Sequence, residues 1–161
     1  MKLSFGAILI IVLILVASAM LSFFWVLLTP KWLFTIATDK ADYAIGENVQ
    51  ITVTLRNTGY LPQSVISAVT SPVIVSVEEF SAQVWWAPAD IKINQTTFTL
   101  TPNQFLVRTF VWNGSRWSQK RHPGTYTVKA MIPNAQIHAI SDVDTEDGRQ
   151  FYAYTTINIT S

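Results

Sequence analysis

Val49-Gln50-Ile51-Thr52-Val53-Thr54-Leu55-Arg56 alternates apolar and polar residues without a slip. Successive side chains of an extended strand point to opposite faces, so a period of two predicts one buried face and one solvated face. Asn57-Thr58-Gly59 ends the strand with turn residues. This stretch decides the fold class, because the same pattern recurs to the end of the chain.

Tyr126, Val128, Ala130 and Ile132 alternate with Thr125, Thr127, Lys129 and Met131, and Phe151, Ala153, Ile157 and Ile159 with Tyr152, Tyr154 and Asn158. Shorter apolar runs lie at Trp32–Thr38, Val73–Val77, Val84–Trp86, Thr96–Leu100 and Phe105–Trp112. Turn signals separate most of them: Leu61-Pro62, Ala87-Pro88, Asn113-Gly114, Pro123-Gly124 and Asp147-Gly148. After Pro30 no segment keeps helical spacing for three turns. Eight or nine short strands over residues 31–161 predict an all-β, Ig-like two-sheet sandwich.

What precedes Pro30 is a different kind of sequence. Leu3–Leu28 contains no charge, and 17 of its residues are Leu, Ile, Val or Phe. As a helix it would reach about 39 Å, more than a hydrocarbon core of about 30 Å. Ala17-Ser18-Ala19 has the form of a signal-peptidase site, and Lys2 supplies a minimal basic start. The apolar run nevertheless continues through Phe23-Phe24-Trp25-Val26-Leu27-Leu28, beyond a typical cleaved segment. Trp25 and Trp32 bracket its outer end as interfacial aromatics do. Residues 1–30 are therefore expected to be a retained transmembrane anchor that meets membrane lipid through residues 3–28. Residues 31–161 are expected to be one extracytoplasmic domain.

Three Asn-x-Ser/Thr acceptors, at Asn94, Asn113 and Asn158, favour the exported side for that domain. Its ten basic residues balance ten acidic ones. A neutral domain lacks the basic footprint of a nucleic-acid binder, so no nucleic-acid partner is expected. The chain has no cysteine, which excludes disulfides, thiol chemistry and Cys-ligated metals. The domain must stand on its apolar core.

Asp42-Tyr43-Ala44-Ile45-Gly46-Glu47-Asn48-Val49, followed by Leu55-Arg56-Asn57, resembles the Tyr-x-x-Gly-Glu-x-Val…Leu-x-Asn opening of many Ig-like surface domains. Leu100-Thr101-Pro102, Trp112-Asn113-Gly114 and Pro123-Gly124-Thr125-Tyr126 resemble a Leu-x-Pro…Trp-x-Gly…Pro-Gly-x-Tyr closing run. That run occurs in the bacterial intracellular proteinase inhibitor family and in Ig-like modules of flagellar hook-capping proteins. The resemblance covers roughly 41–131. It implies a sandwich whose turns rest on Gly46 and Gly124 and whose Tyr126 re-enters the core, and it offers protease inhibition as one function. The membrane anchor departs from an intracellular inhibitor.

Asp142-Val143-Asp144-Thr145-Glu146-Asp147-Gly148 resembles a calcium loop, but its glycine falls one place late and the twelfth-position glutamate is missing. A solvated hairpin loop is the expectation. His122 and His138 are the only histidines, with nothing to place them together. Arg116, Lys120, Arg121 and His122 form a small basic loop. The order of anchor and sandwich resembles the second subunit of terminal oxidases, whose binuclear copper needs two cysteines that this chain lacks. No Gly-x-Ser-x-Gly is present either. No catalytic residue, metal ligand or cofactor is expected.

Exposed aromatics remain as candidates for binding. In a strand Trp85 and Trp86 face opposite sides, one toward the core and the other outward or covered. Tyr152 and Tyr154 point away from the Ile157 face. Trp85, Trp86, Tyr152 and Tyr154 are thus the candidate interface residues, since buried aromatics dominate binding surfaces. The expected function is non-catalytic: a membrane-anchored binding or structural subunit of a surface assembly (filament, appendage or envelope anchor), with other membrane or surface subunits, or copies of itself, as partners. The alternatives are an accessory subunit of a membrane respiratory complex and a protease inhibitor.

Overall fold

The uncharged run forms one helix, α1 (Phe5–Leu28). Ser4 caps its start, its hydroxyl accepting the Ala7 N–H at 3.3 Å, and satisfies one of the donors that a helix start leaves open. At the other end Thr29 closes back on the Trp25 carbonyl through its N–H at 3.0 Å and its hydroxyl at 2.7 Å. None of the helix residues is buried. Its 24 residues reach about 36 Å, so it is long and apolar enough to span a membrane.

The computed structural model describes residues 4–29, 31–113, 122–133, 136–139 and 151–161. Eleven strands follow α1 among them: β1 (Trp32–Thr38), β2 (Asp42–Ala44), β3 (Val49–Asn57), β4 (Gln63–Val69), β5 (Ile74–Glu79), β6 (Ala82–Ala87), β7 (Ile93–Leu100), β8 (Phe105–Trp112), β9 (Gly124–Ile132), β10 (Gln136–Ala139) and β11 (Phe151–Thr160). The protein is an all-β sandwich preceded by one helix, as the alternation predicts. One layer is the five-stranded sheet β2-β11-β9-β5-β6. The other comprises two three-stranded sheets, β1-β3-β8 and β10-β4-β7.

Val49, Ile51, Val53 and Leu55 of β3 are fully buried and meet Val75, Val77, Val128, Ala130 and Ile157 of the facing sheet in one cluster. Three strands lie outside the eight runs named from the sequence. β2 and β10 are short, and β4 turns Gln63 and Ser67 inward beside Val65, so no apolar period marks it.

The three-stranded sheets form one folded ribbon. β3 leads into β4 and β7 into β8. β3 pairs with β8 down to Arg56 opposite Phe105, and β4 pairs with β7 from Gln63 opposite Leu100 onward. Asn57 sits at the break, wholly buried. Its Nδ2 donates to the Leu61 and Leu100 carbonyls at 2.8 and 2.9 Å, and its Oδ1 accepts the Gly59 N–H at 2.8 Å. A buried amide is stable only when its hydrogen bonds are made. Here the same bonds satisfy main-chain groups that the interrupted ladder leaves over.

The other motif residues are corner residues too. Tyr126 is buried, its ring 5.3 Å from that of Trp112. Its hydroxyl donates to the His122 carbonyl at 3.0 Å and accepts the His122 N–H at 3.3 Å, the tyrosine corner of sandwich domains. Tyr43 donates to Asp39 Oδ1 at 2.7 Å and accepts the Lys40 N–H at 2.9 Å. Asp39 Oδ1 also takes the Gln50 N–H at 2.9 Å. Gly46 turns the chain with φ +86°, and Glu47 accepts the Ala44 N–H at 3.0 Å while pairing with Lys40.

Candidate binding surface

Strand order decides which aromatics meet. In the five-stranded sheet Tyr154 lies opposite Lys129, Lys129 opposite Ser76, and Ser76 opposite Trp86. Residues directly opposite share a face, so one row crosses four strands from a tyrosine to an indole. At about 4.8 Å per strand the row spans roughly 14 Å. The next row sets Tyr152 against Met131 and Met131 against Ile74. Three of the four candidate aromatics therefore gather on the outer face of one sheet.

Trp85 does not join them. It is 7% exposed and belongs to the core, paired with Val77, because strand alternation sends one of two adjacent indoles inward. Trp86 is half-buried. Tyr152 and Tyr154 are 56% and 76% exposed, so strand β11 has the register expected. Between the aromatics Lys129 Nζ pairs with Glu78 Oε2 at 2.6 Å. Tyr, Trp and Met are enriched at protein interface centres, whereas Lys, Glu and Ser, the types of Lys129, Glu78 and Ser76 between them, are depleted there.

The three sequons differ in setting. Asn94 is exposed on β7. Asn113 is exposed just past β8, and Gly114 and Ser115 of its sequon lie outside the described residues. Asn158 is exposed on β11, but its Nδ2 donates to Asp42 Oδ1 at 2.9 Å and its Oδ1 accepts from Thr125 at 3.0 Å. The nitrogen that would carry a glycan there is already engaged.

His122 is exposed, and its main chain serves the Tyr126 corner. His138 lies on β10. Arg116, Lys120, Arg121 and the Asp142–Gly148 stretch lie outside the described residues. Among the described residues no three His, Cys, Asp or Glu side chains group to hold a metal ion.

Among the described residues the two most exposed large apolar side chains, Phe80 and Ile93, carry no signal in the sequence. Glu79 pairs with Ala82, leaving Phe80 and Ser81 as a two-residue hairpin link with φ of 48° and 67°. Asn-Gly is the usual occupant of such a turn, so the sequence gives no turn signal there. Phe80 is 94% exposed at that tip. Ile93, at the start of β7, is 95% exposed.

No family model matches the chain, and no curated protein matches it. Among solved structures the chain is similar to the β-glucosidase EmGH1 of Erythrobacter marinus, with 14% identity and a TM-score of 0.46, over 81% of this chain and 16% of that one. It is also similar to the CARDB domain of the PF1109 protein of Pyrococcus furiosus, solved in complex with di-metal ions, with 13% identity and a TM-score of 0.43, over 82% of this chain and 94% of that one. A third likeness is to Spo0M, a sporulation control protein of Bacillus subtilis, with 14% identity and a TM-score of 0.47, over 81% and 49% of the two chains. Identities this low and TM-scores under 0.5 carry none of those proteins' activities to this chain.

Proposed function

We propose that this chain is a non-catalytic, membrane-anchored binding or structural subunit of a cell-surface assembly, with α1 in the bilayer and the sandwich outside. The observation that carries the reading is the row Tyr154–Lys129–Ser76–Trp86 across the outer face of the five-stranded sheet, flanked by Tyr152. Tyr152 and Tyr154 remain exposed on that face. When a protein partner excludes water from such rings, each can contribute about 2 kcal/mol or more. The length of α1 and the lack of any burial along it support lipid as the surroundings of residues 3–28. The sequon asparagines Asn94 and Asn113, both exposed, support the exported side. The partner is another membrane or surface subunit that seats on this face.

Purification from native membranes in mild detergent tests the reading. The expected result is a complex in which the chain co-purifies with protein subunits, identical or unlike. A monomer obtained from membranes under conditions that preserve other complexes would refute it.

A further inference from the structure

The end of the sandwich next to α1 carries a second inference, which rests on α1 being a bilayer anchor. Only Pro30 separates Lys31 from Thr29, which closes the helix on Trp25. Consecutive Cα atoms lie about 3.8 Å apart, so Lys31 stands within about 8 Å of the helix end. The domain locks onto Lys31 at once. The Lys31 carbonyl accepts the Thr58 N–H at 2.9 Å, and Trp32 pairs with Asn57. The Asn57 N–H donates to the Gln104 carbonyl at 3.0 Å, and its carbonyl accepts the Asn103 N–H at 2.9 Å. The turns at 57–60 and 101–105 are thereby held beside the point where the chain leaves the helix.

Large apolar and basic side chains are exposed together there. Leu33, Arg56 and Phe105 stand opposite one another in a row across β1, β3 and β8, and residues directly opposite share a face. Leu33 is 49% and Phe105 62% exposed, and Arg56 is exposed between them. Tyr60 is 59% exposed, with Lys31 Nζ 5.7 Å from its ring centroid.

Charge and tether together select the occupant. Residues 29–38, 49–69 and 93–112, which hold β1, β3, β4, β7 and β8, contain Lys31, Arg56 and Arg108 and no acidic residue. The acidic stretch 142–147 precedes β11, a strand of the other sheet, and lies outside the described residues. A phosphate surface meets no like charge on these strands. Tyrosine settles at headgroup level, leucine and phenylalanine at the acyl boundary, and Lys and Arg reach phosphates along apolar stems.

We infer that this end of the sandwich seats on the lipid headgroups of the membrane that holds α1, through Leu33, Tyr60 and Phe105 with Lys31 and Arg56 beside them. The tether places those residues at the bilayer surface before any other partner arrives.

The absence of cysteine makes the test direct. Single substitutions Val16→Cys in α1, Thr58→Cys at the near end and Asn48→Cys, about 30 Å along β3 from Thr58, are made in the full chain. Each is labelled with a small fluorophore and reconstituted in vesicles of phosphatidylcholine and phosphatidylglycerol. Nitroxide lipids, labelled in the acyl chain or on the headgroup, are the quenchers. Acyl nitroxide should quench at 16, and headgroup nitroxide should quench at 58 about threefold more than at 48. Tyr60→Ser with Phe105→Ser, or independently Leu33→Ser with Phe105→Ser, should lower quenching at 58 about twofold and leave position 16 unchanged. Quenching at 58 no greater than at 48, with position 16 quenched, would overturn this inference and leave the anchor standing. No quenching at 16 would overturn the anchor reading and this inference with it. Quenching at 58 that survives both double variants would make proximity a matter of the tether alone and also overturn it. Shielding of position 58 from aqueous iodide without lipid quenching would assign this end to a second copy of the chain instead.

Discussion

The side-chain amide of Asn57 donates to the main-chain carbonyl of Leu100 across 43 residues of sequence, at 2.9 Å. This bond joins the two halves of the folded ribbon where its ladder breaks. It also explains why a turn motif ends in asparagine: only an amide offers donors to Leu61 and Leu100 and an acceptor to Gly59 at once.

Asn57→Ala should therefore destabilise the protein by about 2–4 kcal/mol, the cost of leaving buried main-chain groups without partners. Chemical unfolding of the full chain in detergent, followed by tryptophan fluorescence, measures this. A change under about 0.5 kcal/mol would mean that the ribbon closes without Asn57.

The Asp39–Tyr43 corner should confer acid sensitivity. The Tyr43 hydroxyl, the strongest influence, holds the Asp39 carboxyl below its ordinary 3.8. Lys40 holds Glu47 below its ordinary 4.5. A carboxyl group with a depressed pKa in the fold contributes stability that is fully present above its unfolded pKa and lost as pH falls through the folded value. Both groups face water, so the effect is small. Melting temperatures of the wild type and of Asp39→Asn should differ at pH 7 and converge as pH falls below about 4. A gap that widens on acidification would reverse the sign and contradict this account.

The hairpin tip should be improvable. Phe80 and Ser81 hold left-handed conformations, which cost most residues roughly 1–2 kcal/mol each. Phe80→Asn with Ser81→Gly should raise stability by about 1–2 kcal/mol, read as a higher midpoint in the same unfolding assay. No gain would show that the native pair is not strained there.

The anchor should be retained. Intact mass of the protein from native membranes should include residues 1–19. A chain beginning at Met20 would mean cleavage after Ala19.

Much of the fold was legible because β3, β9 and β11 turn apolar residues inward at every second position. β4 was not, since its inward Gln63 and Ser67 are polar and erase the period. The Phe80–Ser81 link carries neither glycine nor asparagine, so local turn chemistry could not announce it. The candidate surface was legible only in part. Alternation places Tyr152 and Tyr154 outward and separates Trp85 from Trp86, but it does not say which indole is core. Still less does it say that Trp86 and Tyr154 share a row. That depends on the order β11-β9-β5-β6, which rests on contacts between strands far apart in sequence.

The central claim is that the outer face of the five-stranded sheet binds a protein partner, and replacing Tyr152 and Tyr154 together with serine tests it most directly. The full chain should fold as before, with unchanged tryptophan fluorescence, while its association with co-purifying subunits in mild detergent falls at least tenfold, a loss of about 1.4 kcal/mol or more. Unchanged association in a folded variant would contradict the account, and so would collapse of the fold, which would make those rings core.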